Sequence, residues 1–300
     1  MKFKLEGNIV ALITPMNNKM EIDYDGLLSF VDFQIENGVS ALLPCGTTGE
    51  SATMSHEEHK KVIKKIVDHV NGRCPVLAGT GSNSTSEALG LTKYAEDVGA
   101  DAALLICPYY NRPTQRGLIY HFKTIAESTN LPIVLYNVPS RTGRNIEPET
   151  TIELAKVPNI IGIKEASGDI NQIMKIIQGA KQVKKDFCVI SGDDAFTFAI
   201  SALGGTGIIS VASNIAPKQM TDFVNKLLAK KYEEARIDHY NLLQLFNILF
   251  IETNPGPAKE AAKMMRIAGV ENWFLRPPLV SPTMENAEKI RRVLENFKLL

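Results

Sequence analysis

The chain has 300 residues, of which 44% are hydrophobic and 22% are charged, with 33 basic and 33 acidic side chains that cancel. This composition is typical of a globular protein with a sizeable core, and it excludes the disordered and fibrous classes. A balanced charge without a basic cluster disfavours nucleic acids and anionic membrane surfaces as partners, so we expect small molecules or protein subunits instead.

The first apolar run, at residues 9–15, is much shorter than the ~18 residues that a membrane-spanning helix needs. It soon meets Pro15, and no A-x-A-like cleavage site of a secretion signal accompanies it. We therefore expect a cytoplasmic protein. The four cysteines are scattered and form no C-x-x-C pair, which favours buried thiols over a disulfide framework or a zinc site.

Eight short apolar runs bounded by turn residues predict strands at residues 9–14, 41–44, 75–78, 102–106, 132–136, 160–164, 188–191 and 207–210. Segments with helical periodicity lie between them, and two of these begin with capping-box spacing, at Ser55 to Glu58 and at Ser84 to Glu87. Apolar strands joined by helix-length crossovers indicate parallel strands covered on both faces. Eight such units predict a (β/α)8 TIM barrel.

A doubly wound sheet is the competing architecture. It would need a phosphate-binding loop after an early strand, and neither G-x-G-x-x-G nor a Walker A sequence is present. From about Pro217 onward the pattern indicates only amphipathic helices, at residues 219–230, 232–250, 257–268 and 282–298. We therefore predict a barrel over residues 1–216 and an appended C-terminal helical region over residues 217–300 that packs directly on it.

The active site of such a barrel is built where strands end and βα loops begin. Lys164 ends the sixth predicted strand and is the only charged side chain within the predicted strands. Gly162 lies on the same side of that strand and leaves room for the lysine stem if this side faces the barrel axis. A lysine in a partly dehydrated pocket loses its proton readily, and the neutral amine attacks carbonyls to form a Schiff base. An ion-paired or snorkelling lysine is the alternative.

Hydroxyl side chains are predicted near this lysine. Tyr136 ends the fifth strand and is suited to move protons during iminium formation, and Thr47 or Thr48 can connect it to Tyr110. Arg141 follows on the next loop and has the planar donor fork that binds a carboxylate. For residues taken singly, core-capping tyrosines and a solvated arginine are the alternatives.

A metal site is disfavoured. His56 and His59 share one helical face, but they lack the H-E-x-x-H spacing and a third ligand. The glycine-rich residues 204–207 precede the eighth strand, at the wrong end of the barrel for a phosphate site, so a tight turn is the better interpretation. We expect neither a metal nor a cofactor.

Five motifs together resemble the dihydrodipicolinate synthase family, whose members are also called 4-hydroxy-tetrahydrodipicolinate synthases. They are GTTGES at 46–51, YYNRP at 109–113, YNVPSRTG at 136–143, GIKEASG at 162–168 and SGDD at 191–194. The resemblance spans nearly the whole chain and implies a barrel with a C-terminal helical region. It implies a lyase that binds pyruvate as a Schiff base on Lys164 and condenses it with L-aspartate 4-semialdehyde. The implied product is 4-hydroxy-tetrahydrodipicolinate, in the biosynthesis of lysine and diaminopimelate.

The resemblance also implies roles for other residues. Thr48, Tyr136 and Tyr110 are similar to the family's proton-relay triad, in which the second tyrosine comes from a neighbouring subunit, so a homotetramer built as a dimer of dimers is expected. Substrate-binding positions are implied at Thr47, Arg141, Gly192 and Ile209. A lysine effector site at the dimer interface is implied at Ser51, Ala52, His56, His59, Asn83, Glu87 and Tyr109.

Two other functions stay open at this stage. Another pyruvate aldolase or lyase, acting on N-acetylneuraminate or a 2-keto-3-deoxy sugar acid, would share the lysine and the tyrosine. Such enzymes typically lack the double threonine and the arginine. A non-catalytic barrel that senses a ligand is the second, and the intact nucleophile and relay disfavour it.

Overall fold

A computed structural model describes residues 3–300, so residues 1 and 2 of the predicted 1–216 unit lie outside the described part. Eight strands alternate with helices along the first two thirds of the chain. They are β1 (Gly7–Ala11), β2 (Ala41–Leu43), β3 (Leu77–Gly79), β4 (Ala102–Ile106), β5 (Ile133–Asn137), β6 (Ile160–Glu165), β7 (Cys188–Ser191) and β8 (Gly207–Ser210).

The strands form one parallel sheet in the order β2-β1-β8-β7-β6-β5-β4-β3. A parallel bridge between Leu42 and Val76 joins the two outer strands and brings the sheet close to a closed cylinder. At the seam between β1 and β8, Gly7 lies opposite Gly207, and a Cβ atom on Gly207 would stand 2.1 Å from the Gly7 carbonyl oxygen. The predicted (β/α)8 barrel is confirmed.

The helices are α1 (Tyr24–Glu36), α2 (His56–Val70), α3 (Thr85–Asp97), α4 (Gln115–Ala126), α5 (Pro139–Thr142), α6 (Pro148–Ala155), α7 (Ile170–Val183), α8 (Thr197–Ala202), α9 (Pro217–Leu228), α10 (Tyr232–Ile248), α11 (Gly256–Met264) and α12 (Met284–Asn296). Across residues 3–300, none of them combines the length and the apolar character that crossing a membrane demands. The predicted helix at 257–268 ends early, because Arg266 and Ala268 have left-handed backbones, with φ of 49° and 55°.

The two predicted helix starts differ. Ser55 accepts a hydrogen bond from the Glu58 amide, and the Glu58 carboxylate accepts one from the Ser55 amide, which completes a capping box. Ser84 caps the Glu87 amide, but the Glu87 carboxylate accepts from the Ser82 hydroxyl instead. The second capping box is therefore only half formed, because the Ser82 hydroxyl donates to the Glu87 carboxylate and accepts from the Ser84 amide.

The first strand ends at Ala11, although the sequence pattern predicts that it extends to residue 14. Beyond Ala11, the Leu12 amide still donates to the Leu43 carbonyl of β2 at 3.0 Å, but the Ile13 amide donates to the Asn214 side chain at 2.9 Å. The sequence pattern stays apolar there because the residues are buried, although the ladder has ended. Burial without strand pairing explains the difference.

Side chains that point into the barrel form a separate apolar cluster, which includes Leu5, Ile9, Val134, Ile190 and Ile209. Outward-facing strand residues and the helices form the larger core around it. Leu5 lies at the lower end of the interior cluster, near Gly162 of β6. The interior below the strand ends is thus filled, and only the upper end is left for chemistry.

The C-terminal helical region begins directly on the barrel. In α9, the Thr221 hydroxyl accepts a hydrogen bond from the Asn8 amide group of β1 at 3.0 Å, and the Pro217 carbonyl accepts a second one at 3.4 Å. The chain therefore passes from the barrel to α9 without a break. The predicted boundary at residue 216 stays a prediction.

Candidate active site

Lys164 and Tyr136 face each other at the upper ends of adjacent strands. They are directly opposite in the β5–β6 register, and each residue is only 6% exposed. The Lys164 Nζ atom lies 4.3 Å from the centroid of the Tyr136 ring. Tyr136 belongs to the interior apolar cluster, so apolar side chains lie beneath the amine.

Burial lowers the pKa of Lys164 to about 7, because a charged amine loses its hydration there. The positive charge of Arg141 acts in the same direction, whereas the carboxylate of Asp194 opposes both. A large share of the amine is consequently neutral at pH 7, which is the form that attacks a carbonyl.

Gly192, immediately after β7, makes room for the lysine stem. A Cβ atom at this position would stand 3.0 Å from Lys164 Cε and 3.1 Å from its Cγ. Gly162, the glycine expected to serve this purpose, faces the barrel interior but accommodates Leu5, whose Cδ2 would lie 2.6 Å from an added Cβ. The space for the lysine stem is therefore provided by the glycine at the end of β7 and not by the glycine on β6, the lysine's own strand.

Asp194 and Ile209 complete this side of the site. Asp194 is buried, and its Oδ2 accepts hydrogen bonds from the amides of Val211 and Ala212 at 3.1 and 3.0 Å. Burial raises the pKa of this carboxyl to about 6. Ile209 lies in the interior cluster on β8, among the apolar side chains beneath the amine.

The two threonines after β2 point in different directions. Burial raises the pKa of the Tyr136 phenol, and the positive charge of Arg141 and a hydrogen bond with the Thr47 side chain partly offset this effect. Thr48 is buried, and its hydroxyl accepts a hydrogen bond from Asn254 Nδ2 at 3.0 Å. The structure thus brings Thr47, and not Thr48, to the phenol beside the lysine.

The loop that carries these threonines has two residues other than glycine in the left-handed region, Cys45 with φ of 55° and Glu50 with φ of 60°. Each such residue costs about 1 kcal/mol or more and persists only where the surroundings hold it. Thr14 donates from its hydroxyl to the Gly49 carbonyl at 2.8 Å, and Glu50 forms a buried ion pair with Lys259 of α11. These contacts hold the loop in its strained conformation.

Arg141 lies on the short helix α5, directly after β5. Its side chain is exposed and lines the same cavity as Thr47 and Tyr136. A guanidinium at this mouth can bind a carboxylate while the amine below attacks a carbonyl. The structure therefore joins four of the predicted residues, Lys164, Tyr136, Thr47 and Arg141, in one place.

Tyr110 lies apart from this group within the chain. It is 90% exposed, and its backbone is left-handed, with φ of 71°. Its neighbour Tyr109 lines the cavity, whereas Tyr110 projects away from it. Such a strained, solvent-facing phenol is typical of a functional position.

The cavity has a volume of about 590 Å³ and extends beyond Thr47, Tyr136 and Arg141. Its far side is lined by most of the residues that the family resemblance implied for an effector, which are Ser51, Ala52, His56, His59, Glu87 and Tyr109. Asn83 lies behind them and donates from Nδ2 to the Tyr109 carbonyl at 3.2 Å. His59 is buried, which lowers its pKa, and its Nε2 contacts the Gly79 carbonyl at 2.7 Å.

Comparison with known proteins decides the family. The model of the dihydrodipicolinate synthetase family matches residues 4–297. The 4-hydroxy-tetrahydrodipicolinate synthase of Methanocaldococcus jannaschii is 52% identical over 297 residues, with 98% of this chain and 99% of the relative covered. This chain belongs to the dihydrodipicolinate synthetase family. The enzyme of the same name from Syntrophus aciditrophicus is 50% identical over 295 residues, covering 98% of this chain and 99% of the relative.

Solved structures of dihydrodipicolinate synthases agree in fold. A crystal structure of such an enzyme matches with a TM-score of 0.94 at 51% identity, covering 99% of this chain and 100% of the other. The Acinetobacter baumannii enzyme, solved with pyruvate, matches with a TM-score of 0.94 at 42% identity, covering 99% and 100%. The Cyanidioschyzon merolae enzyme, solved with lysine bound, matches with a TM-score of 0.94 at 38% identity, covering 98% and 99%.

A buried polar network lies behind Lys164 and Tyr136, and the sequence pattern does not predict it. Strand β6 continues one residue past its predicted end at Lys164 and so includes a second charged residue, Glu165. Glu165 is buried and accepts hydrogen bonds from Asn137 at 2.7 Å and from Gln172 at 3.2 Å. Burial raises the pKa of its carboxyl to about 7. The sequence does contain a sign of this buried carboxylate, since Glu165 directly follows the predicted strand within the GIKEASG motif.

Asn137 connects that network to the loop that carries Arg141. Its Oδ1 accepts from the Ile146 amide at 2.9 Å, and its Nδ2 donates to Asn145 Oδ1 at 2.8 Å. Both ends of the loop are thereby fixed to β5. Within residues 3–300, no cluster of three histidine, cysteine, aspartate or glutamate side chains has an arrangement that could hold a metal ion.

Proposed function

We propose that this chain condenses pyruvate, held as a Schiff base on Lys164, with L-aspartate 4-semialdehyde to give 4-hydroxy-tetrahydrodipicolinate. The chain is a pyruvate-dependent lyase of lysine and diaminopimelate biosynthesis, as are the full-length relatives that are 50% and 52% identical to it. The observation that carries the assignment to Lys164 is its buried Nζ atom, 4.3 Å from the Tyr136 ring centroid. This biosynthetic role also supports the cytoplasmic location that we propose.

The first step uses the low pKa of Lys164. The neutral amine attacks C2 of pyruvate, and the resulting carbinolamine loses its hydroxyl group as water to form the iminium ion. That departure needs a proton, which the Tyr136 phenol can donate and then recover through Thr47. The site therefore holds a nucleophile and a proton carrier at the same carbon.

The next steps form the new carbon bond and close the ring. Loss of a methyl proton converts the iminium ion into an enamine, whose carbon attacks the aldehyde of the second substrate, and the alkoxide gains a proton. The amino group of that substrate then attacks C2 and displaces Lys164, which leaves as the free amine. Arg141 is placed to hold the carboxylate of the semialdehyde at the cavity mouth.

In this proposal Thr47 carries the relay role that the family resemblance implied for Thr48. The hydrogen bond between Thr47 and Tyr136 supports the exchange, as does the contact of Thr48 with Asn254. Thr48 then has a structural role on the other side of the loop. Replacing each threonine with valine separates the two, because only Thr47→Val should slow turnover strongly.

Borohydride trapping tests whether pyruvate forms the Schiff base on Lys164. Pyruvate and borohydride should add one pyruvate-derived mass to the peptide that contains Lys164, and Lys164→Ala should abolish both labelling and condensation. Lys181, on α7 and exposed, is the matched control for substitution. Labelling that persists in Lys164→Ala, or that maps to another lysine, would show the assignment to be wrong. Turnover of a sugar acid but not of the semialdehyde would favour the aldolase alternative.

We propose further that the active unit is a homotetramer built as a dimer of dimers, in which Tyr110 completes the site of a partner. The exposure and left-handed backbone of Tyr110 support this. Assembly is not uniform in the family, since a monomeric variant of dihydrodipicolinate synthase matches this chain with a TM-score of 0.95 at 44% identity. Hybrids of Tyr110→Phe and Lys164→Ala subunits should regain activity; formed hybrids without activity would place Tyr110 in its own subunit.

Lysine is the effector that we propose for the far side of the cavity. The exposed carboxylate of Glu87 offers a partner for an ammonium group there, and a relative in the family has been solved with lysine bound. Added lysine should lower the activity, and Glu87→Ala should remove the inhibition while leaving the uninhibited rate unchanged. Absence of lysine binding in calorimetry at millimolar concentration would refute the regulation and leave the synthase assignment intact.

A further inference from the structure

The loop that carries Thr47 is held by the C-terminal helical region. Thr48 receives its hydrogen bond from Asn254, just before α11. Glu50 forms an ion pair with Lys259, which belongs to α11 itself. Thr48 and Glu50, which follow Thr47 on this loop, thus both contact the C-terminal helical region.

Glu50 is coupled to Thr47 through the backbone. The Glu50 amide donates to the Thr47 carbonyl at 3.1 Å, and Glu50 itself has a left-handed backbone. Its carboxylate accepts a second bond, from the Arg276 amide at 3.2 Å. A shift of the carboxylate would therefore displace the peptide that sets the direction of the Thr47 side chain.

The ion pair is deeply buried. The side chains of Lys259 and Glu50 are 1% and 0% exposed, and Lys259 Nζ also donates to the Phe274 carbonyl at 2.7 Å. Buried ion pairs contribute little net stability compared with well-packed apolar residues, because both charges lose their hydration. Their value lies in the fixed geometry that the pairing demands, and here that geometry is imposed on a strained loop beside the proton carrier.

We propose that Glu50 and Lys259 are positioning residues that fix Thr47 against Tyr136, so that the C-terminal helical region sets the efficiency of the proton relay. This inference rests on the proposed relay role of Thr47, since the position of that hydroxyl matters only if it carries a proton. Neither Glu50 nor Lys259 contacts the reacting atoms in this proposal.

The principal test replaces both charges at once, as Glu50→Gln/Lys259→Met, because either single variant leaves an unpaired buried charge. We expect kcat to fall by about tenfold or more, since small misplacement of a catalytic group is costly. The KM for pyruvate should stay unchanged. The yield of borohydride trapping should also stay unchanged once the imine has reached equilibrium, although imine formation itself should be slower. The control is Lys226→Met/Asp238→Asn, which removes the ion pair between α9 and α10 of the same region and should leave kcat unchanged.

A conservative variant guards against misfolding. In Glu50→Gln/Lys259→Gln the two amides can hydrogen-bond to each other, so this variant should recover part of the kcat that the methionine variant loses. Equal kcat in the wild type and in the folded Glu50→Gln/Lys259→Met variant would overturn the proposal. A fall in the equilibrium trapping yield that parallels the fall in kcat would also overturn it, because general disruption of the barrel would then be the cause.

A double-mutant cycle with Thr47→Val shows whether the pair acts through Thr47. Removing the pair in the Thr47→Val background should cost almost nothing more, whereas independent roles would multiply the two losses. If Thr47→Val alone leaves kcat unchanged, the relay assignment in the proposed function fails. If Thr47→Val lowers kcat but removal of the pair does not, only the positioning role fails.

Discussion

Lys164 and Tyr136 are held by strands, whereas Thr47, Arg141 and Tyr110 are held by loops. The first two lie opposite each other in a ladder of backbone hydrogen bonds, so their separation is set by the sheet. The loop residues depend on contacts from elsewhere: Thr47 on the C-terminal helical region, Arg141 on the Asn137 network, and Tyr110 on a partner subunit in our proposal. The sheet therefore fixes the position of Lys164, whereas the positions of Thr47, Arg141 and Tyr110 depend on contacts that can change.

The largest expected effect comes from Tyr136, one of the two residues that strands hold. Tyr136→Phe keeps the ring beneath the amine but removes the proton carrier, so we expect kcat to fall by roughly 10²- to 10³-fold. Steady-state assays and single-turnover imine formation measure it, with the exposed Tyr120→Phe on α4 as the matched control. A loss no larger than that of the control would break the comparison, since the phenol would then not move protons.

A methyl group added beside Lys164 tests how rigidly this side chain is held. The Cβ of Gly192→Ala would stand 2.8 Å from Ala166 Cβ and 3.0 Å from Lys164 Cε, so the end of β6 and the lysine stem must both give way. We expect turnover to fall by roughly 10- to 100-fold, with imine formation slowed in parallel. Gly90→Ala on α3, where an added Cβ meets nothing within 4 Å, is the control and should keep full activity. Full activity in Gly192→Ala would mean that the lysine adapts freely.

Replacing Arg141 tests the contribution of the residues that loops hold. Arg141→Ala should raise the KM for the semialdehyde by roughly tenfold or more, because a hydrogen-bonded charge pair with its carboxylate is lost. Imine formation with pyruvate should survive, as measured by trapping, and exposed Arg116→Ala on α4 serves as the control. Parallel loss of trapping and turnover would instead make Arg141 a structural residue.

The smallest expected effect is the influence of the Arg141 charge on the pKa of Lys164. Since attack needs the neutral amine, kcat/KM for pyruvate should rise with pH through the Lys164 pKa of about 7 and level off above it. The positive charge of Arg141 helps to lower that pKa, so Arg141→Ala should move the rising limb to higher pH. A pH profile of kcat/KM in both proteins measures the shift. A limb that does not move, or that moves to lower pH, would contradict this coupling.

The strand-borne part of the site could be predicted from the sequence, and so could the barrel. Apolar runs with turn residues between them locate strands, as at Ala102–Ile106 and Cys188–Ser191, where the predicted and observed bounds coincide. A lysine inside such a run is conspicuous because charge is costly there. The residue types and their spacing are therefore enough to single out Lys164 together with its neighbour Tyr136.

The loop-borne part could not be predicted in the same way. Thr47 and Thr48 are adjacent and alike, and which of them faces Tyr136 depends on left-handed turns at Cys45 and Glu50 that no alternation pattern encodes. Gly192 clears the lysine from another strand, so its role depends on how β6 and β7 pair. The Glu50–Lys259 contact joins residues more than two hundred positions apart, and only tertiary packing brings them together.

The seam between β1 and β8 has a consequence for synthesis on the ribosome. Gly7 pairs with Gly207, so one side of β1 has no strand beside it until the eighth strand has emerged. At ~5 to 20 residues per second, that interval lasts roughly 10 to 40 s, during which an open strand edge is exposed to other chains. Nascent chains should therefore depend on chaperones until β8 emerges, and a chain truncated before Gly207 should aggregate.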